Sequence, residues 1–359
     1  TDWYIDQMKR KAYNSEPLPM QMTHDLYRAG TRDYIPVFEE LDTFANIKKV
    51  VNDFLDDGKR VPLNNGKMSN YVSAKKFYLD VDTALVLKNG TVAPEDANKI
   101  VKRIEWQISD NVLQKNMLGM MDILANFNWK RPIYFATTTG ADSYFGLEEY
   151  FQLEGLAYHL VPIRTQRTEE DPTATRVNTR ILYDNLMNKF IWGNINNPSI
   201  YLSEDNTRLA MSFRGCFSKL AHALIDEGKN DLALKALNKE VELFPNNLIP
   251  DNYYSLFVAQ EYYRINTADA TAKGDAIVNN ILKNSDDELR YCFRFSKNKL
   301  ASADHKIQEN ISKLYQLSEI THMFKRTQIE QKAKALMNDY YPKWMQTKGY
   351  SGSEVPPIQ

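Results

Sequence analysis

Two cysteines, five histidines and a formal net charge of −1 are all that this 359-residue chain offers toward a disulfide scaffold, a metal cluster or a polyanion-binding surface. Cys216 and Cys292 lie far apart in helical patterns without metal-ligand spacing, so they read as buried thiols and not as a staple. Lys and Arg (45) balance Asp and Glu (46), which leaves no overall field to hold phosphate backbones and excludes nucleic acid as a partner. No run of about 18 apolar residues is present, so no segment reads as a membrane-crossing helix. Gly-rich phosphate loops, Gly-x-Ser-x-Gly elbows and His-Glu-x-x-His pairs are all missing. No cofactor, no metal and no catalytic residue is therefore expected.

What remains is a globular composition, 43% hydrophobic and rich in tyrosine (21 residues), long enough for two domains. Residues 1–165 switch repeatedly between helical and strand periodicity and read as a mixed α/β domain. The opening "TDWYIDQMKR" sets Trp3, Tyr4 and Met8 near one helical face behind a Thr1 or Asp2 cap. An abrupt apolar start suggests a piece of a longer protein, with Trp3 and Tyr4 packed as core beside the later "PIYFA" strand and a sheet edge left open. Phe44, Ile47, Val51, Phe54 and Leu55 form a helical stripe ending at Gly58, read as a left-handed cap. Asn65-Gly66 marks a turn between strands. "APEDANKIVKRIEW" reads as a helix with Pro94 in its first turn and Ile100, Val101 and Ile104 along its edge. "NVLQKNMLGMMDILANFNWKRPIYFA" reads as a long apolar helix feeding a strand, half of a parallel βαβ unit, and "YFGLEEYFQLEGLAYHLVPI" repeats that order.

Polar residues 166–176 open a connector that extends to residue 204, after which strand signals vanish. Within 205–345, "FSKLAHALIDEGKNDLALKALNKEVELFPNN" matches a tetratricopeptide-like helical hairpin. Phe217, Leu220, Ala221 and Leu224 form the inner face of its first helix, Gly228 makes the turn, Ala233 permits close approach and Pro245 ends the second helix. A repeat of about 34 residues cannot bury its apolar face alone. A second hairpin is accordingly expected through Leu256, Ala259, Tyr263 and Ala276, and a third from about residue 307 to 344. Residues 346–359 read as a loose tail.

The densest polar constellation, "THDLYRAGTRDY", gathers His24, Arg28, Arg32 and Asp33 as weak ligand-binding candidates, with Tyr27 and Tyr34 able to stack on a sugar. An ion-pair network that organises a loop explains the same residues and is preferred. Glu148, Glu149 and Glu154 raise a glycosidase dyad, but adjacent carboxylates on a helix point apart, and a solvated face over Tyr144, Phe145, Leu147 and Phe151 suffices. His159 and His222 read as structural histidines.

Taken together, "TDWYIDQMKRKAY", "NWKRPIYFATT" and "LEGLAYHLVPI" resemble the soluble C-terminal part of a family of large multi-pass membrane proteins found in Gram-negative gut and oral anaerobes. That family is related to the protein O-mannosyltransferases of the membrane-embedded glycosyltransferase class. The matching positions include Trp3, Tyr4, Trp129, Arg131, Pro132 and Tyr134. The resemblance implies a membrane-anchored parent, a location on the extracytoplasmic (periplasmic) face, Pro132 to Ala136 as a central strand and Gly155 to Pro162 as a second. In such transferases the catalytic carboxylate lies in a loop between early membrane helices, which this sequence does not contain, so none is carried over. The function expected is a noncatalytic module binding an acceptor polypeptide or protein partner, possible glycan contact included, through a concave repeat surface. A purely structural domain and a carbohydrate-active α/β enzyme are the alternatives.

Overall fold

Among the described residues, six helices begin one residue after a side chain that accepts a hydrogen bond from the first turn: Asn46, Asp82, Asn178, Ser203, Asn252 and Thr267. Each satisfies a main-chain N–H that the helix itself cannot, which fixes the start to the residue. The computed structural model describes residues 2–28, 30, 32–40, 42–168 and 174–350, and divides into two compact units, Thr1–Arg176 and Val177–Gln359. The expected Thr1 cap and residues 351–359 of the tail lie outside the described residues.

The first unit is mixed α/β. In chain order it comprises α1 (Asp2–Met8), α2 (His24–Tyr27), β1 (Tyr34–Pro36), β2 (Ala45–Asn46), α3 (Ile47–Leu55), β3 (Val61–Pro62), β4 (Met68–Ser69), β5 (Lys76–Asp80) and α4 (Thr83–Lys88). There follow β6 (Arg103–Gln107), β7 (Val112–Gln114), α5 (Lys115–Ala125), β8 (Tyr134–Ala136), β9 (Phe151–Leu153) and β10 (Ala157–Leu160), with β11 (Arg176–Val177) at the junction. The sheets are small. β1 pairs antiparallel with β7, β5 lies between parallel β2 and antiparallel β6, β3 and β4 form a hairpin, and β9, β10 and β8 lie side by side in that order. Phe54, Phe77, Ile104, Leu118, Met121 and Phe151 form part of one continuous core. Each such fully buried side chain contributes about 1.5–3 kcal/mol relative to exposure.

Several sequence expectations are corrected here. Residues 94–99 form a short 3-10 turn, and Ile104 and Trp106 belong to β6, where they alternate inward with exposed Arg103 and Gln107 and pair across to β5. The helical edge drawn through Ile104 is in fact period-two alternation. "EEYFQLEGLAYHL" opens with a 3-10 turn over Glu148–Tyr150 and continues as a β-hairpin, with Gly155 at φ 130° in its turn and the Glu154 N–H donating to the Ala157 carbonyl. The "PIYFA" segment is an outermost strand paired antiparallel to β10, not a central strand of a βαβ unit. Residues 112–114 are strand and not the start of α5, because they pair with β1. Helix α3 begins at Ile47 and ends at Leu55. Phe44 is off its stripe and exposed, and Gly58 is not left-handed. Trp3 and Tyr4 are 70% and 58% exposed, so they are not core; Ile5 of the same helix makes the inward contact.

The second unit is all-helical: α6 (Thr179–Asp184) with a π-turn over Asn185–Lys189, α7 (Glu204–Asp226), α8 (Asn230–Leu243), α9 (Tyr253–Ile265), α10 (Ala268–Cys292), α11 (Lys297–Leu300), α12 (Asp304–Met323) and α13 (Thr327–Thr347). The pairs α7/α8, α9/α10 and α12/α13 pack as hairpins, and α7 packs on α9 and α10 on α12. Leu220, Ala221 and Ala233 are fully buried. Gly228 takes φ 73° at the turn between α7 and α8. Pro245 follows α8 directly, its carbonyl accepting the Leu248 and Ile249 N–H groups. Cys216 and Cys292 are buried, and burial pushes the Cys216 thiol up to about 12.

Arg214 of α7 has no exposed surface and holds the first two hairpins together. Its guanidinium donates to the carbonyls of Phe244 (2.7 Å), Ile249 (2.6 Å) and Pro250 (3.1 Å), to Asp251 (3.0 Å) and to Ser255, and lies 3.2 Å from Glu240. One fork thus fixes the end of α8, the following loop and the start of α9. Burial, with the nearby charge of Asp251, holds Glu240 up to about 8, against the pull of Arg214. Arg214→Met strands two buried acids and is expected to cost about 3–5 kcal/mol in urea unfolding. Because the folded state keeps the Glu240 proton more tightly than the unfolded chain, the stabilisation is complete at acid pH and is lost as pH rises toward about 8. Wild type should therefore lose stability relative to Glu240→Gln between pH 5.5 and 9, and a pH-independent difference would contradict the assignment.

Candidate functional site

A run of ten residues on α5, "NMLGMMDILA", is apolar except for its first residue and Asp122, and Asp122 has no exposed surface. Both of its oxygens are used: the N–H of Gln21 donates to one at 2.9 Å and the N–H of Met22 to the other at 2.8 Å, while the Asn126 amide donates at 2.9 Å. Burial pushes this carboxyl above its ordinary range, against those donors and the charge of Lys9. Asp122 pins the extended segment 20–22 against α5, and Lys9 donates back to the Met22 carbonyl. The N-terminal helix is thus held near α5 without burying Trp3.

Between these elements lies a cavity of about 570 Å³. Helix α1 contributes Tyr4, Ile5 and Met8, the pinned segment Met20, helix α5 Gly119, Met120, Ile123 and Leu124, and the outer strand Ile133 through Ala136. Three thioethers and several aliphatic side chains make a deformable apolar wall. At the rim Lys115 and Asp33 pair at 2.6 Å, and the Gly30 N–H donates to Asp33 at 2.7 Å. The Lys115 bond, then that of Gly30, holds Asp33 below the usual carboxylate range.

The constellation around residue 28 is only partly brought together. Asp33 reaches the cavity rim, and Lys115 also donates to the Arg28 carbonyl. The Arg28 side chain is exposed, 3.8 Å from Asp25. Arg32 points elsewhere to Asp57 at 2.7 Å, and His24 lies beside the Tyr27 hydroxyl (3.2 Å) and Asp6 (3.8 Å). These four side chains go to different partners, so no arginine clamp forms. In the "NWKRPIYFA" motif Trp129 is buried with φ 62°, its indole N–H donating to the Asp80 carbonyl at 2.9 Å. Arg131 donates to the Glu16 carbonyl at 2.8 Å, and exposed Pro132 leads into β8.

Tyr134 carries the polar side of the site. Its hydroxyl donates to Glu154 at 2.9 Å, and its ring stacks at 4.6 Å on His159, its cross-strand neighbour. Glu154 also takes Nδ1 of buried His159 (3.0 Å) and the Gln152 amide (2.8 Å). Burial acts to raise Glu154, but the His159 bond and charge and the other donors hold it below its ordinary range. Burial and the adjacent Glu154 charge push the Tyr134 phenol up to about 12. Gln152 continues to Arg176 (3.0 Å), which bonds Asp96. This chain locks the hairpin to β8. Glu149 is held by Arg164 at 2.7 Å, and among the described residues no pair of carboxylates faces the cavity. Among the described residues no cluster of His, Cys, Asp and Glu could hold a metal ion.

A family model described as TMEM260-associated domain 2 matches residues 1–181. The chain belongs to that family. No curated protein and no solved structure matches it. The matched range covers the cavity and its polar chain and ends before the helical hairpins.

Met20, Lys115 and Asp122 were not singled out by sequence reasoning, although a lone carboxylate in an apolar helix was a signal for a buried, partnered group. Asp122→Ala leaves the N–H groups of Gln21 and Met22 without acceptors and is expected to cost about 2–4 kcal/mol in urea unfolding. Gly119 lies mid-helix, and a Cβ there would meet only the Met20 methyl at 3.8 Å. Gly119→Ala should therefore raise stability by about 0.5–1 kcal/mol in the same measurement.

Proposed function

We propose that this chain is a noncatalytic, extracytoplasmic part of a glycosyltransferase-like membrane protein, and that it binds acceptor polypeptide. The observation that carries the reading is the cavity: large, apolar, thioether-lined, and without convergent acid, base or metal-ligating groups among the described residues. Such a surface suits recognition and offers nothing to bond cleavage. Membership in a TMEM260-associated family supports a membrane-protein parent, and the resemblance to relatives of the O-mannosyltransferases supports a polypeptide acceptor. No helix of the described residues is long and apolar enough to cross a membrane. The stacked hairpins, with Gly228, Ala233 and Pro245 at their expected places, support a tetratricopeptide-like second unit with a protein-facing role.

The test is a fluorescence anisotropy titration of the 359-residue chain with labelled decapeptides of alternating aliphatic and polar residues, beside labelled mannose oligosaccharides. Saturable peptide binding is expected, about tenfold weaker in Gly119→Leu, the effect of excluding roughly one aliphatic side chain. Oligosaccharide binding without peptide binding, or peptide binding indifferent to Gly119→Leu, would overturn the proposal.

A further inference from the structure

Hydrogen-bond parity on β8 defines what its outer edge can accept. The Leu160 N–H donates to the Ile133 carbonyl at 3.0 Å, and the Thr137 N–H donates to the Leu156 carbonyl at 3.0 Å. With Phe135 opposite Tyr158, these bonds turn residues 133, 135 and 137 toward β10. The main-chain groups of Tyr134 and Ala136 therefore face away from the sheet. The Ala136 carbonyl is taken by Thr139 and by the Tyr144 hydroxyl at 3.2 Å. The Tyr134 N–H, the Tyr134 carbonyl and the Ala136 N–H remain, and among the described residues none of the three has a partner.

The cavity runs along this edge. Consecutive strand residues point to opposite faces of a sheet, yet Ile133, Tyr134, Phe135 and Ala136 all line it. A space beside the strand touches all four. The same apolar space thus borders two donors and one acceptor in the spacing of a β-ladder.

We infer that the cavity takes an extended polypeptide segment, which adds to β8 as a further strand and places an uncharged aliphatic side chain against Met20 and Met120. This rests on the polypeptide reading above and names its mode. A strand supplies one acceptor, one donor and a second acceptor at the required spacing, whereas an acyl chain would cover the three groups without bonding them. Electrostatics restrict the guest further. Among the described residues the charged side chains lining the cavity are Asp33 and Lys115, which neutralise each other at 2.6 Å and leave no net charge to draw a charged residue in. Main-chain pairing gives affinity indifferent to sequence, and the thioethers adapt to different aliphatic shapes. The guest is therefore selected by extended conformation and by one apolar position.

The experiment uses the decapeptides of the titration, rebuilt with a single ester in place of each amide in turn, and the variant Ala136→Pro, which removes one of the three edge groups. Since the Ala136 N–H bonds nothing in the chain, the variant should keep its melting behaviour and bind about tenfold more weakly. One ester position, the one whose N–H meets the Tyr134 carbonyl, should lose about tenfold, and its neighbours little. Hydrogen exchange on the wild-type chain provides the reading that needs no variant: the Tyr134 and Ala136 amides should slow when peptide is added. Binding that is unchanged by esters and by Ala136→Pro, with unprotected amides, would overturn strand addition while leaving polypeptide recognition intact if Gly119→Leu still weakens it. Failure of every decapeptide, with uptake of octanoate instead, would overturn both.

Discussion

A carboxylate sealed from water persists only where donors replace its hydration, and Asp122 draws them from the main chain of a segment 100 residues earlier. The N–H groups of Gln21 and Met22 would otherwise lie without partners beside an apolar helix, so segment and helix need each other. That mutual requirement sets the distance between the N-terminal strip and α5, and with it the width of the cavity. A side chain of leucine size at position 122 would fill the space and bond nothing. Asp122 thus sets the cavity's width from behind its wall, while thioethers and aliphatic side chains make much of its lining.

Arg214 plays the matching part in the second unit. Helical hairpins have adaptable contacts between units, since small and large side chains interlock in several registers. A guanidinium bonded to three carbonyls and two side chains tolerates one arrangement. Glu240 and Asp251 share that one cation. Burial first, and then the charge of Asp251, raises Glu240 against the pull of Arg214. In both units, a single ionisable side chain converts adaptable packing into a defined geometry.

Much of the helical half was legible because its signals are local. Gly228, Ala233 and Pro245 each act within a turn or two, and each stands where a hairpin requires it. The strands were read less well, and the errors have one cause. Ile104 fits a helical stripe and a strand alternation equally, and only the pairing of Phe77 with Trp106 decides between them. "LEEYFQLEG" has helical composition, yet cross-strand partners at His159 and Tyr158 make it a hairpin arm. Trp3 and Tyr4 are large and apolar, but α1 turns Ile5 inward and leaves them at the surface. The polar cluster from His24 to Asp33 was legible as residue types and illegible as a site, because side chains close in sequence took partners at Asp6, Asp57 and Lys115.

The sequence by itself determined fold class, the lack of metal-binding or phosphate-cradling motifs, the positions of the helical turns and the balance of charge. Those properties depend on residue type and on spacing within about one helical turn. Tertiary structure alone decided that β8 is outermost, that its Tyr134 and Ala136 main-chain groups face outward, and that Asp122 reaches back to residues 21 and 22. Hydrogen-bond parity along a strand is set by its partner, and a buried charge by whichever distant donors the fold delivers. Neither is written in the residues that carry it.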